Sequence, residues 1–169
     1  MPHALPSLDT VSFDCHLPLD YQPQGDAHAH AQALLTTRLA LAILAGQGDV
    51  ADSAPAQQRL EARLDLMLEL ALQQRYPLLA RHAACRIGLE AVAWYHHTAL
   101  PPGSQGLLSL QVQSPSALTL QLPLTIRHCQ PQADGFAIVA GWGPALGDAQ
   151  AAWERWVFRR HRQSIGRQA

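Results

Sequence analysis

Two periodicities divide the chain. Between residues 27 and 76 apolar side chains recur at helical spacing, and from 83 to 143 they alternate at the period of a strand. AHAHAQALLTTRLALAILA at 27–45 reads as a helix capped by Asp26 and ended by Gly46 and Gly48. Leu34, Leu41 and Leu44 share one of its faces; Ala31, Leu35, Leu39 and Ala42 share the neighbouring one. After a loop, Ser53 is placed to cap a second helix, QQRLEARLDLMLELALQQRY at 57–76, which Pro77 stops. In it Leu60, Leu64, Met67 and Ala71 step by four, three and four, the spacing of a supercoiling seam. Leu66, Leu68, Leu70 and Leu72 widen the apolar surface, and Glu61, Asp65 and Glu69 form an acidic face at i, i+4 spacing. Spacing alone leaves two readings open: a core helix packed on its own domain, or a seam shared between copies. Two adjacent helices with broad apolar faces favour assembly.

The alternating part reads as several short strands. Cys85, Ile87 and Leu89 alternate, as do Leu108, Leu110 and Val112, and then Leu118 through Ile126. Pro101-Pro102-Gly103 is a turn and Asp134-Gly135 a hairpin dipeptide. Strands and turns at this spacing suggest a small antiparallel barrel. Residues 1–26 read as an extended N-terminal arm with a short strand near 11–17, and 148–163 as a closing helix with Trp153, Trp156, Val157 and Arg160 along one face. The expected division is therefore an arm over 1–26, a helical oligomerisation segment over 27–79, and a barrel with its C-terminal helix over 80–169. Leu34, Leu41, Leu44, Leu60, Leu64, Met67 and Ala71 are the expected intersubunit contacts.

Composition narrows the chemistry. The net charge of -1 attracts neither nucleic acid nor membrane, so no nucleic-acid polymer is an expected partner. All cationic side chains apart from histidine are arginines, which removes lysine nucleophiles, Schiff bases and the Walker-type lysine. Cys15, Cys85 and Cys129 lie far apart with no CxxC, the usage of a reduced, cytoplasmic setting; Cys85 and Cys129 fall in alternating strands and read as buried, inert thiols. MPHALPSLDT has neither the basic nor the apolar region of a secretory signal, and no apolar run is long enough to span a bilayer. The nine histidines show no metal-ligand spacing: His28 and His30 point to different helix faces, and His96 and His97 diverge at a strand end. No catalytic constellation or glycine-rich phosphate loop is visible, so neither an enzyme nor a cofactor or metal is expected. Arg159, Arg160, His161, Arg162 and Arg167 concentrate positive charge near the C-terminus. They suit a solvated helix end, an acidic partner (including the acidic face of another copy), or a phosphate ligand.

Several segments together carry a family resemblance. The helix at 57–76, the strand CRIGLEAVAW at 85–94, the turn LPPGS at 100–104, the closing WERWVFRRHRQSI at 153–165 and the arm FDCHLPLDYQP at 13–23 resemble the atypical PilZ domain family. That family is a variant of the cyclic di-GMP receptor domain. The resemblance implies a mainly-β α+β fold: a six-stranded antiparallel barrel with a C-terminal helix, preceded by two long helices with heptad-like spacing that assemble chains into tetramers. It also implies a non-catalytic bacterial signalling adaptor, with other signalling proteins as partners, in pathways of motility, surface behaviour or virulence.

Ordinary PilZ domains hold cyclic di-GMP through RxxxR before the first strand and D/N-x-S-x-x-G on it. Paired guanidiniums grip phosphate and stack on bases, while small polar residues meet the guanine edges. Here 86–91 reads RIGLEA, with Arg86, Gly88 and Ala91 where Asp or Asn, Ser and Gly are expected. Arg75 and Arg81 are six apart rather than four. These departures speak against ordinary cyclic di-GMP binding. The alternative is a direct receptor using a rearranged set, Arg81, Arg86 and Arg127, with Arg159, Arg160 and Arg162 as further candidates for ligand or partner binding.

Overall fold

The computed structural model describes residues 5–23, 27–46, 55–75, 79, 81–112, 116–142 and 144–166. Six strands, β1 (Ser12–Pro23), β2 (His82–Gly88), β3 (Ala91–His96), β4 (Gln105–Gln111), β5 (Thr119–Gln132) and β6 (Gly135–Gly141), close into an antiparallel barrel in the order β1-β2-β3-β6-β5-β4. The alternation read from the sequence is the barrel's inside and outside: Ile87, Trp94, Leu108, Leu110, Leu120, Leu122, Ile126 and Ile138 are fully buried. Gly103 turns the β4 approach at φ 85, a conformation glycine takes without steric cost.

Two long strands let so small a sheet close. β1 pairs with β2 through Ser12–Pro18 and with β4 from Leu19 onward. β5 pairs with β4 up to Thr125 and with β6 from that residue on, with a register shift between Ile126 and His128. That shift leaves Arg127 as the extra residue of a bulge, and its guanidinium lies over Gly141 of β6. The strand expected near 11–17 is therefore longer, and it is a wall of the barrel rather than part of an arm. The helices also stand elsewhere than expected. α1 (Ala27–Gly46) and α2 (Pro55–Arg75) follow β1, so they are inserted between two barrel strands instead of preceding the barrel. Asp26, Ser53 and Pro77, expected as caps and stop, lie outside the described residues, as does Arg167.

α1 packs on the barrel through Ala33, Thr37, Ala40, Leu41 and Leu44, all buried. The Thr37 hydroxyl donates to the Gln121 carbonyl at 2.7 Å and accepts from the Gln121 amide at 2.9 Å, fixing the helix to β5. Beside α1, the barrel is closed by α3 (Gln150–Ile165), where Trp153, Trp156 and Val157 are buried. The Trp153 indole donates to the carbonyls of Gly88 and Leu89 at 3.2 and 3.1 Å. Its ring meets Trp142 edge-on at 4.8 Å, and Trp156 meets Phe13 edge-on at 5.6 Å. No described helix is long and apolar enough to cross a membrane.

Candidate interaction face

α2 has the leucine content of a buried helix and the environment of an exposed one. Leu60, Leu64, Leu66, Met67 and Leu70 leave between 54% and 67% of their surface open, and Ala71 is exposed as well. The helix touches its own barrel chiefly near its C-terminal end. There Leu72 packs against the core, and Glu69 accepts hydrogen bonds from Ser116 Oγ at 2.6 Å and the Ala117 amide at 2.8 Å. Burial alone would raise the Glu69 carboxyl; the bonds from Ser116, Ala117 and Gln73 outweigh it and hold the group below its ordinary pKa. One carboxylate thus anchors a helix whose four seam residues face solvent in the single chain.

The seven expected intersubunit residues divide. Leu60, Leu64, Met67 and Ala71 lie on the open surface of α2. Leu41 and Leu44, at 2% and 7% exposure, are spent inside their own molecule, and Leu34 is half-buried against the same core. The expectation that Leu41 and Leu44 meet another copy is corrected by this packing. The outward side of α1 is the neighbouring face, where Leu35 and Leu39 are more than half exposed. Between them and α2 runs an apolar groove of about 270 Å³, lined by Leu35, Leu39, Ile43, Leu72 and Leu118. The periodicity had shown both faces of α1; which one meets the barrel depends on Thr37 reaching β5.

Each arginine of the expected set Arg81, Arg86 and Arg127 has a hydrogen-bond partner within the chain. Arg86 donates to both carboxylate oxygens of Asp14 on β1, at 2.6 and 2.9 Å, and to the carbonyls of Leu5 and Pro6 at 3.2 and 3.0 Å. Its fork is consumed by the barrel and by the N-terminal segment. Arg81 stands five residues earlier, about 16 Å along an extended chain, and donates to the His97 ring at 3.2 Å. Arg127 donates to the Glu90 carbonyl at 3.5 Å, beside the β2–β3 turn. Gly88 and the turn are covered by residues 8–10. A Cβ on Gly88 would lie 2.9 Å from Thr10 Oγ1, and Thr10 Oγ1 accepts from the Leu89 amide at 3.4 Å. The N-terminal segment thus lies over the β2–β3 turn, where Pro6, Thr10, Glu90 and Arg127 line a cavity of about 460 Å³.

The C-terminal basic run is mostly structural. Arg159 donates to the Leu44 carbonyl at 3.5 Å, and Arg160 donates to the Val112 carbonyl at 3.2 Å with its guanidinium over Trp156. His161 Nδ1 donates to the Ser12 carbonyl at 2.7 Å. Three successive residues thus bind α3 to α1, to the end of β4 and to β1, while Arg162 is exposed. Sequence reading saw charge where the fold uses donors. Among the described residues no three side chains come together to hold a metal ion.

The fold is that of a closed six-stranded antiparallel barrel with a C-terminal helix, the PilZ-like architecture. No protein-family model matches the chain, and no curated protein matches it significantly in sequence. Among solved structures it is similar to a pathogenic protein of Xanthomonas campestris, described as a new tetrameric PilZ domain self-assembled via an unusual helical bundle. The two are 25% identical, over 94% of this chain and 91% of that one, with a TM-score of 0.73. The resemblance to the atypical PilZ family drawn from the sequence is borne out by this likeness.

Proposed function

We propose that the protein is a non-catalytic, self-assembling signalling adaptor of the atypical PilZ type, working in a bacterial cyclic di-GMP pathway through protein partners. The observation that carries this reading is α2: a helix of the chain whose leucine seam its own barrel leaves uncovered. Covering such a face removes apolar surface from water without disturbing any core, and an identical helix supplies a complementary heptad spacing. The similar Xanthomonas protein, self-assembled through a helical bundle, supports the same use of the insertion here, and its tetrameric state is the expected one. The seam runs along Leu60, Leu64, Met67 and Ala71, with Leu35 and Leu39 of α1 beside the groove replacing Leu41 and Leu44. The barrel then serves as the partner-binding head of each copy.

The engagement of Arg86 by Asp14, and the cover over Gly88, support an adaptor over a direct nucleotide receptor. Two measurements test the proposal together. Sedimentation of the purified chain should give a mass of several copies across the micromolar range; a single-chain mass throughout refutes self-assembly. Calorimetric titration with cyclic di-GMP should give no heat; micromolar binding abolished by Arg86→Ala would instead establish the receptor.

A further inference from the structure

We propose that Cys15 and Cys85 are a covalent modification site: a dithiol in the barrel wall that closes reversibly to an intramolecular disulfide. The two residues are direct partners in the β1–β2 ladder. Their sulfurs lie 3.2 Å apart, and the Cys15 thiol also reaches the Cys85 carbonyl at 3.5 Å. The Leu19 amide donates to the Arg81 carbonyl at 3.0 Å, and Cys15 and Cys85 stand four residues along each strand from that pair. By the alternation of the ladder they form a hydrogen-bonded pair, with Cα atoms about 5.5 Å apart. That spacing lies within the range a disulfide spans without backbone movement. The third thiol lies on no adjacent strand: Cys129 pairs with Ile138, β4 separates its strand from β1, and β3 and β6 separate it from β2.

Access is unequal, and this orders the chemistry. Cys85 is fully buried, whereas Cys15 is half-buried and lines a cavity of about 260 Å³ with Phe13, His16, Trp156, Arg160 and Gln163. A hydroperoxide entering there meets Cys15 first. The Cys15 thiolate attacks the peroxide oxygen and the O–O bond breaks, leaving a sulfenic acid and releasing an alcohol or water. The Cys85 sulfur then attacks the Cys15 sulfur, the S–O bond breaks, and the hydroxyl leaves as water with the Cys85 proton. Two thiols are oxidised and one peroxide is reduced. The shared hydrogen bond with Cys85, and then burial, push the Cys15 thiol up. Asp14 on β1 pushes the same way, Arg160 on α3 opposes it, and His16 lines the same cavity. The reaction therefore runs through a small thiolate fraction and quickens as pH rises. The bridge would close a loop holding both α1 and α2, stapling the base of the helical insertion and restricting the unfolded chain.

The test uses the unmodified full chain. After exposure to excess hydrogen peroxide, free thiols are alkylated and the protein is digested without reduction for mass spectrometry. The expected result is loss of the mass of two hydrogens, a peptide linking Cys15 to Cys85, an alkylated Cys129, and reversal by dithiothreitol. The thermal midpoint should rise on oxidation, as it should in Cys129→Ser but not in Cys15→Ser. Alkylatable Cys15 and Cys85 after prolonged oxidant, Cys15 trapped as sulfinic acid, or a bridge to Cys129 or to a second chain each overturns the proposal. None of these readouts depends on the oligomeric state or on any ligand.

Discussion

Replacing Leu64 and Met67 of α2 by glutamate separates assembly from folding more sharply than any other change. In the single chain these side chains are 56% and 67% exposed. Fully burying such a side chain is worth about 1.5–3 kcal/mol, so covering the exposed remainder contributes about 1–2 kcal/mol at each position. Losing both removes about 2–4 kcal/mol per chain, or about 30- to 700-fold in the association constant for each copy. Burying two carboxylates against leucine adds a further penalty of several kcal/mol. The fold should be spared, because glutamate is nearly as good a helix former as leucine or methionine and both side chains are more than half exposed. The assay is multi-angle light scattering across a hundred-fold concentration range, with near-ultraviolet circular dichroism as a check on the four tryptophans, all in the barrel and α3. The expected outcome is a single-chain mass with an unchanged tryptophan spectrum. A variant that keeps the parent's mass would show that the seam is not the contact.

Leu41→Ala should do the converse. It opens a cavity at a site 2% exposed, costing about 2–5 kcal/mol in denaturant titrations, while the assembled mass stays that of the parent. Dissociation without loss of barrel stability would return Leu41 to the interface. Trp153→Phe keeps most of the ring but strips the donor from two carbonyls, which costs about 1–3 kcal/mol; an unchanged unfolding midpoint would contradict the closing role of that indole. Glu69 ties α2 to the barrel as a carboxylate whose folded pKa lies below its ordinary value. Its contribution is complete above the ordinary carboxylate range and is lost as pH falls through the folded value. The protection of α2 amides, taken as the exchange rate relative to the intrinsic rate at the same pH, should therefore fall on acidification, and Glu69→Ala should show the low protection already at neutral pH. Equal protection in the two proteins at both pH values would remove Glu69 as the anchor.

Much of the architecture could be read from residue spacing because strand alternation and helical recurrence are local. Leu108, Leu110, Leu120 and Leu122 announce which side of the wall faces inward whatever the topology. The same local logic found the leucine surplus of α2 and the barrel-facing tryptophans of α3. It misread the arm, since a strand carrying Pro18 and two acidic residues lacks a clean alternating run, and its partners lie about 70 residues ahead. Pairing partners so distant leave no periodic trace.

Residue order alone carries an inventory: a β-rich chain, an over-greasy helix, RIGLEA at 86–91, and arginine in place of lysine. How each part is used depends on the assembled fold. α1 offers two apolar faces, and the Thr37 bonds to β5 choose the one that turns inward. Arg86 is a free cation until Asp14 lies opposite it across a ladder, and Cys15 and Cys85 are unrelated thiols until the same ladder sets them face to face. The physical reason is common to all three. Side-chain chemistry is written residue by residue, but its availability depends on which distant backbone completes the neighbourhood.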